Sequence, residues 1–152
     1  MNKKKLAIIS VAVVLAAAAV IILCFAFIER PAFQDIKKDE IASASYFIYY
    51  YENNEPVYLP LPEENVDELL GLMQDIKIKG FHRPDAKYYN GGVGFMFKIQ
   101  FNNGRVLEFS AKNPHMKING RYYRTEYAPA NALTEFWQGF VETGRKEYGL
   151  KS

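Results

Sequence analysis

Thiol and imidazole groups are scarce in this chain, and their scarcity limits the chemistry that we expect from it. The sequence contains one cysteine, Cys24, and two histidines in 152 residues. Nucleophilic catalysis and metal binding need such groups next to a base, an orienting residue or further ligands at a recognisable spacing. We therefore predict no metal site, no cofactor and no catalytic residues, and no disulfide in the chain after Cys24.

Charged residues are missing from one long segment, residues 6–28. A helix of this length, with a rise of about 1.5 Å per residue, covers roughly 35 Å and exceeds the hydrocarbon core of about 30 Å. The apolar region of a secretory signal is usually shorter, about 7–15 residues. The segment is therefore predicted to be a retained transmembrane anchor whose partner is membrane lipid.

Three lysines precede this anchor, in the N-terminal tip 1–5. Positively charged flanks of an anchor stay on the cytoplasmic side of the membrane. We therefore predict a single-pass protein of the cell membrane with a cytoplasmic N-terminus. The extracellular part is predicted to consist of a tether over 29–42 and a domain over 43–152.

Cys24 lies near the end of the anchor and has three interpretations. A bacterial lipoprotein signal needs a small residue before the modified cysteine, and here that residue is Leu23. The residues that follow, up to Ile28, are apolar, whereas a lipidated N-terminus leads into a polar tether. The sequence therefore favours Cys24 as an inert small apolar side chain in the anchor, with lipidation and cleavage near Ala26 as the alternatives.

The charge balance argues against a nucleic-acid partner. The chain has 19 Lys and Arg against 17 Asp and Glu, for a formal net charge of +2. Without the three N-terminal lysines the balance is 16 against 17, or −1. The basic excess therefore belongs to the lysines that orient the anchor, because no basic surface of the kind that binds nucleic acids is left in the domain.

Hydrophobic periodicity predicts an α+β domain. Apolar and other residues alternate from Val93 to Phe101, which is typical of a strand with one buried face. The pairs Asn103-Gly104 and Asn119-Gly120 predict hairpin turns, and helical spacing follows Pro62 and recurs over 128–148. We therefore predict a mostly antiparallel β-sheet with two amphipathic helices packed on one face.

Tyrosine is the residue type that most suggests a binding surface. The stretch YFIYYY contains Tyr46, Tyr49, Tyr50 and Tyr51 in a predicted strand. Tyrosine is common in recognition surfaces because it provides rigid contact area and a hydroxyl group. These four residues are the predicted contact face, and the alternative is that both faces of the strand are covered and the rings stabilise the sheet.

A second reading makes the protein a cell-envelope enzyme. His82 and Asp85 lie three residues apart in a predicted loop, and together they could act as a base and its orienting group on a wall or peptide substrate. No third ligand or nucleophile accompanies them, so a loop histidine beside a turn aspartate is the favoured interpretation. His115 is likewise expected to be exposed in a turn.

The order of lysines, one anchor and the stretches DELLGLMQDIKI, FKIQFNNGRVLEF and KINGRYYR resembles a group of bacterial proteins. They are small membrane-anchored or lipoprotein-like extracytoplasmic domains of unknown function from Gram-positive bacteria. The resemblance extends over residues 40–145. It implies a cell-envelope location and a small α+β fold, and it implies no functional residues.

The sequence as a whole favours a binding module over an enzyme. We expect a membrane-anchored extracytoplasmic interaction module of the bacterial cell envelope, with another envelope or membrane protein as its partner. A structural or immunity-type membrane protein is the third reading, in which the anchor is indispensable and the tyrosines are replaceable.

Overall fold

A computed structural model describes residues 3–49, 56–80, 94–112 and 115–147, with the backbone alone at 3–8, 25, 26, 49, 56 and 112. The described residues form three α-helices and eight strands. The helices are α1 (Lys3–Phe27), α2 (Val66–Gln74) and α3 (Tyr127–Glu147). The strands are β1 (Arg30–Pro31), β2 (Ile41–Tyr49), β3 (Pro56–Pro60), β4 (Lys77–Lys79), β5 (Phe95–Phe101), β6 (Val106–Lys112), β7 (His115–Ile118) and β8 (Arg121–Thr125).

The eight strands form one antiparallel sheet. Their order is β1-β4-β8-β7-β6-β5-β2-β3, and every neighbouring pair is antiparallel. The predicted hairpin at Asn119-Gly120 is present, with φ angles of 45° and 81°. Two successive positive φ angles are the geometry that favours Asn-Gly in tight hairpins, so this local pattern fixes how β7 meets β8.

The predicted alternation of β5 places one face of the sheet in the core. Phe95, Phe97 and Ile99 are fully buried, whereas Lys98 between them is half-exposed. A strand has a side-chain period of two, so one face of β5 carries the apolar residues and the opposite face carries the polar ones. The α+β class and the antiparallel sheet predicted from the sequence are therefore confirmed.

Helices α2 and α3 cover this apolar face. Leu69 and Met73 of α2 and Leu133 of α3 have no exposed surface, and α3 contacts β2, β5 and α2. In both helices the buried residues follow the helical spacing that the sequence shows. The domain therefore has two layers, with the helices on one side and the sheet on the other.

The segment predicted as a tether, 29–42, is folded into the domain instead. Its first residues form β1, which pairs with β4, and the amide of Ala32 donates to the carbonyl of Ile76 at 2.9 Å. Phe33 is only 3% exposed, and its ring lies 5.0 Å from that of Phe109. The domain begins at Arg30 rather than at residue 43, because Phe33 fills a place in the core.

Helix α1 contrasts with the rest of the structure in its exposure. Each residue from 9 to 24 is exposed, and the aliphatic side chains of Val14 and Ile22 are 66% and 67% exposed. In the part of the chain described with side chains, which in α1 is residues 9–24 and Phe27, no helix is long and apolar enough to cross a membrane.

Candidate functional site

The structure does not place Tyr46 on a surface. Tyr46 is 5% exposed, and its ring centroid lies 5.5 Å from that of Phe140 in α3. The strand carrying it lies between β3 and β5, and Tyr46 points to the face that α3 covers. Tyr46 is therefore a core residue, which corrects its place in the predicted contact face.

The opposite face of β2 is also covered beside this position. Phe47 is 4% exposed, and its ring packs edge-on against Tyr58 with 5.8 Å between centroids. The side chain of Tyr49 and the whole of Tyr50 and Tyr51 lie outside the described residues. For the described part of the strand, the structure agrees with the alternative in which rings stabilise the sheet.

The other predicted positions have mixed outcomes. His82 and Asp85 lie outside the described residues, so the structure does not test the loop that they were predicted to form. Cys24 is a free, exposed thiol on α1. His115 is 8% exposed in β7, so the exposed turn predicted for it is wrong.

Tyr58 is a half-exposed tyrosine that the sequence reasoning did not select. Its hydroxyl donates to the sulfur of Met96 at 3.3 Å, and the Lys98 ammonium lies 5.4 Å from its ring centroid. Partial burial raises the pKa of Tyr58 above its ordinary value of 10.0, and the neighbouring Glu108 carboxylate adds to the increase. This phenol therefore stays protonated and acts as a neutral donor beside a cation.

A concave site of about 620 Å³ lies at one end of the sheet, and we call it the hairpin groove. It is bounded by the segment 32–40, by the connection from β5 to β6 at 101–107, and by the turn at 118–119 between β7 and β8. Its volume is within the range of about 300–1,000 Å³ that is usual for ligand sites.

The base of the hairpin groove is apolar. Phe33, Phe101 and Leu107 line it and are buried, and Ile36 and Ile118 beside them are half-buried. Phe33, in the segment after β1, packs against Phe109 of the core with the two rings tilted at 48°. The segment that the sequence predicted to be a tether therefore builds one wall of the site.

Hydrogen bonds hold the walls of the groove together. The backbone amide of Asn102 donates to the carbonyl of Glu40, and its side-chain amide donates to the carbonyl of Asp39, each at 2.8 Å. On the other side, the Asn119 side chain accepts from the amide of Glu108 at 2.9 Å. The first two bonds join the segment 32–40 to the β5–β6 connection, and the third joins the β7–β8 turn to β6, so the fold itself holds the walls of the groove.

Carboxylates dominate the charge of the groove. Asp35, Asp39 and Glu40 line it and are exposed. Among the described residues that line the groove, Arg105 is the one basic residue, and its guanidinium lies 3.9 Å from the centroid of the Phe101 ring. The described lining residues therefore have a formal charge of −2 beside an apolar base.

Two lysines, Lys37 and Lys38, lie in the same segment as these carboxylates. The ammonium of Lys38 lies 2.6 Å from the carboxylate of Asp67, at the start of α2, and Lys38 is not a lining residue. Since each ion is taken by its partner, the Lys38 charge is directed toward α2. Lys37, beside it in the chain, is exposed and does not line the groove either, so with both lysines counted the segment 32–40 has a formal net charge of −1.

The chemical groups of the groove suit binding. Apart from aromatic and aliphatic side chains they are carboxylates, side-chain amides and one guanidinium. Within the described ranges, no group of three or more His, Cys, Asp and Glu residues could hold a metal ion. Such a site can accept hydrogen bonds, attract a cation and bury apolar surface.

Sequence reasoning missed the groove, although two signals for it were present. Phe33 and Ile36 are apolar residues three apart in an otherwise polar segment, which is unusual for a solvated tether. The Asn-Gly turns also had to end at the same edge of the sheet, because β5 to β8 were predicted as consecutive hairpins. Neither signal alone identifies a cavity.

Comparison of the chain with protein-family models, with curated proteins and with solved structures finds no match to any of them. Helix α1 and the hairpin groove are therefore the two features of the molecule that bear on its function.

Proposed function

We propose that this protein is a membrane-anchored extracytoplasmic interaction module of the bacterial cell envelope. In this proposal the apolar segment 6–28 anchors the chain in the membrane. The N-terminal tip is cytoplasmic, and the domain that begins at Arg30 lies outside the cell and binds another envelope or membrane protein.

The exposure of α1 is the observation that carries the proposal. Its aliphatic side chains between Ile9 and Leu23 are 52–67% exposed. Soluble proteins rarely leave a contiguous apolar surface of this size in water, and such a surface marks a membrane or protein contact. A bilayer surrounds a helix on every side, so it satisfies α1 better than one partner groove would.

The flanking charges support the orientation. Lys3, Lys4 and Lys5 precede the apolar segment, which ends before Glu29. Lysines next to a membrane helix are retained in the cytoplasm, whereas acidic residues have little influence on orientation. The domain follows the other end of the helix and is thereby exported.

A binding role for the domain follows from the hairpin groove. Its walls are fixed by hydrogen bonds, its base is apolar and its rim carries polar and charged groups. This combination is typical of ligand and protein recognition sites. Tyr49, Tyr50 and Tyr51 stay in the proposal as a second contact surface, for which the described residues provide no test.

Membrane fractionation of the full chain tests the anchor. We expect the protein to remain with membranes after an alkaline carbonate wash and a tag added after Ser152 to be accessible outside intact spheroplasts. The substitutions Val14→Lys and Ala17→Lys together should release the chain, since a lysine at the middle of a membrane helix costs about 2.5–3.5 kcal/mol. Tyr127→Lys with Gln138→Lys places two lysines on the exposed side of α3 and should leave the chain bound.

Recovery of the unaltered chain in the soluble fraction, or a tag that is protected in spheroplasts, would refute the proposal. The mass of the N-terminal peptide separates the remaining interpretations of Cys24. An unmodified peptide that starts at the N-terminus supports the anchor. A diacylglycerol on Cys24, or a chain that begins near Phe27, would replace it with a lipoprotein or a secreted protein.

A further inference from the structure

The edge of the sheet that adjoins α1 is basic. Its strands β1, β4 and β8 contain five basic residues and no acidic one, and we call these five the basic edge: Arg30, Lys77, Lys79, Arg121 and Arg124. Three acidic residues, Glu29, Asp75 and Glu126, lie within two residues of these strands in the chain and reduce the sum to +2. The rest of the chain after α1 then has 11 basic residues (16 less 5) against 14 acidic ones (17 less 3), or −3. Positive charge is therefore concentrated beside the anchor.

The basic edge begins where the apolar segment ends. The amide of Ile28 donates to the carbonyl of Cys24 at 2.9 Å, as in a helix, and only Glu29 separates Ile28 from Arg30. An extended residue spans at most about 3.6 Å, so Arg30 lies within roughly 7 Å of the last apolar residue. The headgroup region adds about 5–7 Å on each side of the hydrocarbon core. If α1 spans a bilayer, Arg30 therefore lies at the level of the headgroups.

Contacts around this junction bring β4 and β8 to the same level. Arg30 pairs with Ile78 in β4, and the ammonium of Lys79 donates to the carboxylate of Glu29 at 2.9 Å. Lys79 in turn pairs with Arg124 of β8. These contacts leave no free linker between α1 and the sheet, so the basic edge stays close to the membrane surface.

Three of the basic side chains lie on one face of the sheet. Ile78 is 6% exposed and belongs to the core, so the side-chain period of two places Lys77 and Lys79 on the opposite face. Arg124 lies directly opposite Lys79 and shares that face. Lys77 and Arg124 are exposed, and the Lys79 side chain is 41% exposed. Like charges directly opposite each other destabilise a sheet, and an anion bound beside Arg124 would relieve this repulsion.

We propose that the basic edge binds the phosphate groups of anionic lipids around the outer end of α1. This inference rests on the proposed function, because these lipids surround α1 only if it spans the membrane. Lysine and arginine close to an anionic bilayer surface are attracted to it, and the attraction decreases within a Debye length. The contact holds this edge of the sheet against the membrane.

The test measures which lipids surround the full chain in zwitterionic bilayers. A trace of phosphatidylglycerol or of phosphatidylcholine carries a spin label on its acyl chain, and electron spin resonance gives the fraction of each that the protein holds. Every sample contains Lys3→Gln, Lys4→Gln and Lys5→Gln, because these lysines would hold anionic lipid at the other end of α1. We expect phosphatidylglycerol to associate about twofold more strongly than phosphatidylcholine, and the preference to decrease as the salt concentration rises.

A matched pair of double variants assigns the preference to the basic edge. Lys77→Gln with Arg124→Gln removes two exposed charges from the edge and should reduce the preference by about half. Arg145→Gln with Lys146→Gln removes the same charge from the last turn of α3 and should leave the preference unchanged. That turn follows Gly144, which packs on β2 and β3 at the opposite edge of the sheet. Thermal unfolding verifies that both variants are folded.

Several results would overturn the inference. Equal association of the two labelled lipids would reject the anionic headgroup as the ligand. Equal loss of preference in the two double variants would show that the attraction follows the net charge of the domain and not the basic edge. If soluble glycerol phosphate abolishes the preference more effectively than sodium chloride at the same ionic strength, the site holds a free phosphate rather than the membrane surface.

Failure here is distinguishable from failure of the proposed function. A chain that fractionates with membranes but shows no preference between the two lipids keeps the anchor and loses the headgroup contact. A chain that is recovered as a soluble protein loses the anchor, and with it the reason for a headgroup contact.

Discussion

Two helices of similar length behave in opposite ways in this protein. Helix α1 has 25 residues and α3 has 21. In α3, Leu133 and Val141 are buried while Glu135 and Glu142 on the other side are exposed. In α1, residues 9–24 are apolar on every side apart from Ser10, and all of them are exposed.

The difference shows that apolar content alone does not attach a helix to a protein core. A helix packs on a sheet when one stripe of it is apolar and the rest is polar, because that contrast selects a single buried face. Helix α3 has this contrast. Helix α1 lacks it, and a surrounding that is apolar on all sides suits it best.

Truncation of one leucine in each helix should separate the two roles with the largest effect. Leu133→Ala removes a fully buried side chain, and we expect the free energy of unfolding to fall by about 2–5 kcal/mol. Leu15→Ala removes a side chain that is 65% exposed and should leave the unfolding of the domain unchanged. Chemical unfolding of the full chain in detergent micelles measures both. Equal losses would mean that α1 is part of the folded core.

Two glycines of α3 sharpen the comparison within one helix. A Cβ atom at Gly144 would lie 2.5 Å from the Tyr46 hydroxyl and 2.8 Å from Leu59, whereas one at Gly139 would meet nothing within 4 Å. Gly144→Ala should therefore cost about 1–3 kcal/mol, because either the buried ends of the Tyr46 and Leu59 side chains or α3 itself must shift to make room. Gly139→Ala should stabilise the domain by roughly 0.5–1 kcal/mol through helix propensity. If α3 packs closely at Gly144, thermal unfolding should show a lower midpoint for Gly144→Ala and a higher midpoint for Gly139→Ala.

A smaller effect is expected at the ion pair that joins a wall of the groove to α2. Lys38 and Asp67 are half to two-thirds exposed, so Asp67→Asn should lower the stability by only about 0.2–1 kcal/mol. Glu68→Gln removes a charge from the same first turn of α2 but not from the ion pair. It therefore measures how much of the loss comes from the helix dipole alone. A loss above this range, measured by urea unfolding, would mean that the pair also supports the groove.

The smallest effect is expected where α1 meets the domain. The ammonium of Lys79 donates to the carboxylate of Glu29 at 2.9 Å, and this hydrogen bond, with the attraction of the charges, lowers the pKa of Glu29 below its ordinary value of 4.5. A carboxyl whose pKa is lower in the folded state stabilises the fold above pH 4.5, and this contribution disappears as the pH falls through the folded pKa.

The unaltered protein should therefore lose a little stability as the pH falls through the pKa of Glu29. Glu29→Gln should not show this loss, and the two proteins should be equally stable at low pH. Unfolding curves of the two proteins, compared above and below pH 4.5, measure the effect. An identical pH dependence in both would show that the contact with Lys79 is not populated in solution.

The sequence predicted the elements with strong local signals. The alternation of β5, the Asn119-Gly120 hairpin and the spacing in α2 all depend on neighbours in the chain, and each appears as predicted. The arrangement of β5 to β8 followed, since consecutive hairpins leave one simple topology. The lack of charge over residues 6–28 also identified one long apolar helix. Its insertion into a membrane stays a prediction.

Features that depend on distant parts of the chain were missed. Strand β1 has two residues, too few for a period, and its partner β4 comes more than forty residues later. The alternation of side chains along β2 assigned Tyr46 to one face of the sheet. The sequence did not show that α3 covers this face and buries the ring. The hairpin groove joins three separate segments, 32–40, 101–107 and 118–119, and no local pattern connects them.

The proposal that α1 lies in a bilayer while the domain lies in water is tested most directly with a spin label on Cys24. The reference is a label on Tyr127→Cys in a Cys24→Ser background, since Tyr127 is 68% exposed on α3. In reconstituted bilayers, we predict that the label at Cys24 collides with oxygen and is shielded from a water-soluble nickel chelate. The label on α3 should show the reverse, and equal access of the chelate to both would contradict the account.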